Sequence, residues 1–167
     1  MPSGVTVLDV ACGHGRHSKF LAARGCRVSA VDRDAAALET LRGVGEIIGA
    51  DIENGPWPFS GRKFGAVVVT NYLWRPLLPL IVDCVGDDGV LLYETFAAGN
   101  GQFGKPSRPD FLLQPGELLR ACESLDVIAY EHGMLENPAR IVQRLAACGK
   151  GRGAQSLESA IPGKKFS

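Results

Sequence analysis

The sequence has no surplus of charge, no long apolar run and no paired Cys-x-x-Cys, and each absence removes a class of function. Its 18 acidic residues balance its 18 basic ones. The chain therefore lacks the positive footprint with which proteins hold nucleic-acid phosphates. No apolar stretch approaches the roughly 20 residues that cross a bilayer as a helix, and the start lacks the layout of a signal peptide. Five cysteines, Cys12, Cys26, Cys84, Cys122 and Cys148, are odd in number and scattered, which fits no disulfide framework. Cys12, His14 and His17 match no usual zinc spacing, so no metal is expected. These absences point to a cytoplasmic protein with reduced thiols, no nucleic-acid partner and no membrane segment. Nothing in the sequence speaks to oligomeric state.

What is present is an ordinary globular composition, 46% hydrophobic over 167 residues, the size of one domain. Apolar runs alternate with helical patterns, which predicts an α/β fold with a mostly parallel sheet. Strands are expected at Val5 to Val10, Cys26 to Val31, Glu46 to Asp51, Phe64 to Thr70 and Gly89 to Phe96. Between them lie helical patterns, one of them opened by Pro76 and running through Val85. Asn54 to Gly61 is too crowded with proline and glycine to form an element. Leu125 to Met134 and Ala139 to Ala147 predict two last strands, and Glu136-Asn-Pro138 between them suggests an antiparallel hairpin. From Gly149 onward the chain is rich in Gly, Ser and Lys. The expected organisation is one domain over residues 1–149 and a flexible tail over 150–167.

The most informative stretch is Val5 to Leu21. A strand of aliphatic residues breaks into Ala11-Cys-Gly-His-Gly15 and continues as a helix, an arrangement that holds nucleotide-like ligands at the carboxyl edge of a parallel sheet. Glycines at 13 and 15 permit a sharp turn and close approach of a ligand to the main chain. A dinucleotide fingerprint would place a third glycine where Ser18 stands. Asp9 in the strand would repel a pyrophosphate and suits a ligand carrying a cationic amine.

At these residues the chain resembles the class I S-adenosylmethionine-dependent methyltransferases. Val7-Leu-Asp-Val-Ala-Cys-Gly-His-Gly-Arg16 is similar to their first motif, Ala30-Val-Asp32 to the acidic end of their second strand, and Gly49-Ala-Asp-Ile52 to their third. The resemblance covers about residues 5 to 148. Asn71-Tyr-Leu-Trp-Arg-Pro76, Leu92-Tyr-Glu-Thr-Phe96 and Phe111 to Leu118 resemble the bacterial tellurite-resistance and thiopurine methyltransferase-like branch, whose members act on small molecules or anions.

The resemblance implies a single Rossmann-like doubly wound sheet of seven strands, order 3-2-1-4-5-7-6, with strand seven antiparallel. It implies S-adenosylmethionine as cofactor, bound by Asp9, Ala11, Cys12, Gly13, Gly15, Asp32, Arg33, Asp51, Ile52 and Asn71. In that scheme Asp32 accepts from the ribose hydroxyls, Asp51 from the adenine amine, and Asp9 supports the ammonium indirectly. Tyr72 and Glu94, followed by His14, are the candidates for orienting a small-molecule methyl acceptor. Members of the branch carry a helix ahead of the first strand, whereas the strand here opens at Val5. Either the start is truncated, or another element covers the methionine end, for which the long Ala97 to Leu113 segment is the candidate. A dinucleotide-dependent oxidoreductase and a non-catalytic cofactor-binding module are the two rival readings.

Overall fold

The strand with three consecutive valines sits where the sheet is most enclosed. In the computed structural model, which describes residues 3–152, β4 (Phe64–Thr70) lies between β1 (Thr6–Val10) and β5 (Val85–Phe96). Successive strand side chains point to opposite faces. Val67 and Val69 accordingly enter one core and Ala66 and Val68 the other, which is why the run shows no polar alternation.

On the far side of β1 stand β2 (Arg27–Asp32) and β3 (Glu46–Gly49), and beyond β5 stand β7 (Ala139–Cys148) and β6 (Asp126–Glu136). The order is β3-β2-β1-β4-β5-β7-β6. Strands β1 to β5 pair in parallel, and β7 runs antiparallel to both β5 and β6. The order and the reversed strand agree with the sequence expectation.

Among the described residues four short helices cover the faces: α1 (Arg16–Ala22), α2 (Ala35–Glu39), α3 (Leu78–Asp83) and α4 (Glu117–Ala121). None exceeds seven residues, too few to persist without packing against the sheet. The larger core joins α3 and α4 to the sheet through Ile81, Leu91 and Leu118, while the smaller one seats Leu21 of α1 against Val7, Val28 and Val68. The turn-rich 54–61 segment is pinned from within. Phe59 is fully buried, with ring contacts of 5.3 Å to Trp57 and 5.8 Å to Phe64, so these aromatics pack the core.

Two boundaries differ from the sequence reading. The helix after Pro76 ends at Asp83, and Val85 already belongs to β5, opposite Phe64. The cause is an irregularity in which Gly86 to Gly89 bulge against Phe64. A Cβ on Gly89 would lie 2.5 Å from the Phe64 carbonyl oxygen, so the bend accepts no side chain there. At the other end, residues 150–152 form a 3-10 turn packed on the start of β5. The remainder of the expected tail, 153–167, lies outside the described residues. Among the described residues no helix is long and apolar enough to cross a membrane, and all five cysteines are free thiols.

Candidate cofactor site

Parallel strands deliver their last residues to one rim, and the crevice opens where neighbouring strands connect in opposite directions. Here that point lies between β1 and β4. The turn after β1 is fixed by backbone bonds: Cys12 N–H donates to the Val31 carbonyl (3.0 Å), and Gly15 N–H to the Cys12 carbonyl (2.9 Å). Asp32, closing β2, accepts from Gly13 N–H at 2.7 Å through Oδ2 and from Asp34 N–H at 3.0 Å through Oδ1. The glycine turn and the end of β2 are thus one hydrogen-bonded unit.

The two glycines do different work. At Gly13 (φ +52°), whose N–H is bonded to the cavity-lining Asp32, a Cβ would meet nothing within 4 Å, so the space beside it is open. At Gly15 (φ +69°) a Cβ would come 2.0 Å from a Leu41 methyl. The missing side chain of Gly15 therefore makes room for the helix neighbour, whereas the expectation had both glycines making room for a ligand.

A cavity of about 270 Å³ collects the ends of four elements: Ala11 after β1, Asp32 and Arg33 from β2, Ala50 to Glu53 after β3, and Asn71 and Tyr72 after β4. Seven sequence-picked residues meet there: Ala11, Asp32, Arg33, Asp51, Ile52, Asn71 and Tyr72. Ala11 (φ 52°) and Asn71 (φ 55°) both hold left-handed backbone, a conformation that non-glycine residues adopt at a cost and that clusters at functional sites. Asp9 lies buried beneath the turn, accepting from Ser18 Oγ at 2.5 Å. Burial pushes its carboxyl above the usual range, and the Ser18 bond opposes that shift. Burial, then the charges of Asp9 and Asp32, push the Cys12 thiol up to about 12. The thiol therefore stays protonated and unreactive near neutral pH.

Tyr72 and Glu94, the two acceptor-orienting candidates, are not brought together. The Tyr72 ring lines the cofactor cavity with its hydroxyl enclosed and unpartnered. Burial, then the Glu53 carboxylate, pushes its phenol well above the ordinary tyrosine value. Glu94 instead faces a separate apolar cavity of about 360 Å³ on the α1 side of the sheet. There it pairs with Arg144 at 2.6 Å and Arg140 at 3.8 Å. No residue of Ala97 to Leu113 lines the cofactor cavity. That segment folds back on itself through a bridge between Ala97 and Leu113.

Arg75 fastens the same segment. Its guanidinium donates to both Glu117 oxygens (2.7 and 3.0 Å) and to the carbonyls of Asp110 (2.7 Å) and Leu112 (2.9 Å). Burial raises the Glu117 carboxyl, but the bonds from Arg75 and from Gln114 N–H outweigh it and hold the group below its usual range. Gln143, fully buried in β7, donates to the Gln114 carbonyl (2.7 Å) and accepts from Leu118 N–H (3.3 Å), tying the start of α4 to the sheet.

The donor set suits S-adenosylmethionine. Asp32 keeps lone pairs for ribose hydroxyls, because a carboxylate accepts about four hydrogen bonds and two are used. Gly13 leaves open space beside that carboxylate.

A family model described as a methyltransferase domain matches residues 7–85. None of the curated proteins matches the chain. Among solved structures, the chain is similar to a TehB-like SAM-dependent methyltransferase from Corynebacterium glutamicum, with 19% identity and a TM-score of 0.67 over 90% of this chain and 83% of that one. It is similar to TehB from Haemophilus influenzae at 21% identity and a TM-score of 0.69, covering 89% of this chain but 58% of that one. It is also similar to a SAM-dependent methyltransferase from Methanosarcina mazei, at 13% identity and a TM-score of 0.70, over 89% of this chain and 94% of that one. The domain match falls on the half of the sheet that builds the cavity, and the structural likenesses carry the same fold through the hairpin: residues 7–85 match a methyltransferase domain, and the chain has the fold of the S-adenosylmethionine-dependent methyltransferases.

Proposed function

We propose that this chain transfers a methyl group from S-adenosylmethionine to a small-molecule or anionic nucleophile. The observation that carries the reading is the convergence of Ala11, Asp32, Arg33, Asp51, Ile52 and Asn71 on one cavity beside Gly13. Bound there, the cofactor supplies a methyl already activated on a sulfonium with a neutral leaving group. The protein's share is then alignment and exclusion of water. Alignment is worth roughly 7–11 kcal/mol, against the roughly 10²–10⁴-fold that a positioned base adds.

Asp32 accepts from the ribose hydroxyls in charge-assisted bonds. Asp51 and Ile52 flank the purine, Gly13 admits the methionine portion, and Asp9 lends negative charge beneath its ammonium. Asn71 and Tyr72 border the methyl. With its phenol raised by burial, Tyr72 acts as a wall and a hydrogen-bond donor, not as a base. Glu94, neutralised by Arg140 and Arg144, serves position more than proton transfer.

The balanced charge and the absence of Pro-Pro after Asn71 favour a small acceptor over nucleic acid, as does the resemblance to the tellurite-resistance and thiopurine branch. Calorimetry with S-adenosylhomocysteine tests the site, and failure to bind at millimolar ligand refutes it. Transfer of labelled methyl to a panel of thiols, aromatic thiols, amines and tellurite tests the acceptor class.

A further inference from the structure

The wall that β4 contributes to the cofactor cavity is held from β5 by two bonds of different kinds. The first continues the parallel ladder: Thr70 pairs with Glu94, and Asn71 N–H donates to the Glu94 carbonyl at 2.9 Å. The second comes from a side chain. Tyr93 Oη donates to the Tyr72 carbonyl at 2.9 Å, and Tyr93 itself is buried in the larger core. Burial, then the neighbouring Tyr72, pushes the Tyr93 phenol above the ordinary tyrosine value, so at neutral pH the hydroxyl keeps the proton it donates. A phenylalanine would fill the same core space with no hydroxyl to desolvate, and burying a hydroxyl is costly unless it is bonded. The bond lands on a turn that needs holding. Asn71 stands in left-handed backbone at φ 55°, a conformation that persists only where its surroundings over-determine it. Among the described residues Tyr93 is the one side chain bonded to the backbone of Asn71 and Tyr72; the next anchor along the chain is the Arg75 guanidinium.

We propose that Tyr93 is a positioning residue for the methyl end of the cofactor: through the Tyr72 carbonyl, its buried hydroxyl fixes the direction in which Asn71 and Tyr72 face the transferred group. The inference rests on the cofactor reading of this cavity. Tyr93 lines no part of that cavity and acts through the turn alone. At the ribose end, Asp32 and Gly13 are held by bonds of their own, so loss of the Tyr93 hydroxyl should be felt at one end of the ligand. S-adenosylmethionine and S-adenosylhomocysteine differ in the methyl and in the charge it brings to sulfur. Their affinity ratio therefore reports how well the wall meets that methyl. Adenosine stops at the ribose and reports the opposite end.

The test is calorimetry of these three ligands on wild type, Tyr93→Phe and Leu91→Val, with a thermal melt of each protein. Leu91 is fully buried in the same core, two residues earlier on the same face of β5, and lines no part of the cofactor cavity, so its truncation controls for damage to the core. Tyr93→Phe loses one hydrogen bond, and its Tm should fall by about 2–6 °C; Leu91→Val should fall by a similar amount. In Tyr93→Phe the affinity for S-adenosylmethionine should drop about fivefold relative to that for S-adenosylhomocysteine, with adenosine held within about twofold, as loss of alignment at one end requires. In Leu91→Val the three ligands should keep their wild-type ratios. The inference is overturned if Tyr93→Phe keeps the wild-type ratio of the two sulfur ligands, if it weakens adenosine as much as S-adenosylmethionine, or if Leu91→Val shifts the ratio equally. A Tyr93→Phe protein that does not fold overturns it too, because the hydroxyl would then be holding the core and not the turn. Wild-type protein that binds none of the three ligands refutes the cofactor reading itself, a separate outcome.

Discussion

Substituting alanine at each of the two turn glycines should separate stability from binding. At Gly15 the added methyl meets Leu41 at 2.0 Å in a left-handed conformation. The conformation costs an alanine about 1–2 kcal/mol, and pushing a packed side chain aside costs about 1–3 kcal/mol more. Gly15→Ala should therefore lose about 2–5 kcal/mol. For a chain of this size, each kcal/mol lowers Tm by about 2–4 °C, giving a fall of about 4–20 °C. Gly13→Ala carries the same conformational cost but no collision, so its Tm should fall by about 2–8 °C. Its methyl instead projects into the crevice, and S-adenosylhomocysteine affinity should drop at least tenfold. The assays are thermal melts of the free protein and calorimetry at a temperature where all variants are folded. Equal losses of stability in the two variants, or undiminished ligand affinity in Gly13→Ala, would refute the assignment of the two glycines.

Asp32→Ala removes a charged acceptor and should weaken S-adenosylhomocysteine binding by about 1.5–3 kcal/mol, read by calorimetry. Asp9→Asn keeps an acceptor for Ser18 while removing a carboxylate that burial disfavours. The ligand-free protein should melt at or above the wild-type temperature at pH 7, and the variant should bind the ligand more weakly. Arg75→Ala leaves Glu117 and two loop carbonyls without their donor; it should lose about 2–3 kcal/mol and open residues 97–116 to limited proteolysis. Because the Glu117 carboxyl is held below its ordinary value, its contribution is full above about pH 4.3 and is lost as pH falls through the lowered folded value. The Tm gap between wild type and Arg75→Ala should accordingly shrink on acidification below pH 4, and a gap that widens would contradict the pairing.

Much of the fold was legible because its signals are local. Three valines buried on both faces, acids closing β2 and following β3, and a proline turn before the last strand each act within a few residues. The meeting of Asp32 and Asp51 at one cavity was legible to the same depth, because both follow strands whose ends must share a rim. What local sequence could not carry were partnerships across the chain. Nothing near Gly15 announces Leu41, and nothing near Glu94 announces the arginines of β7. Gln143 looks like an ordinary polar strand residue until α4 needs an acceptor for Leu118 N–H.

Every residue lining the cofactor cavity falls between positions 11 and 72, while the Arg75-fastened segment, α4 and the closing hairpin all come later. The proposed donor site and the remaining architecture thus occupy consecutive stretches of one polypeptide. Selection, or a designer, can redraft the second stretch and leave the cavity lining untouched. Chimeras spliced shortly after Tyr72 are the natural place to exercise that independence.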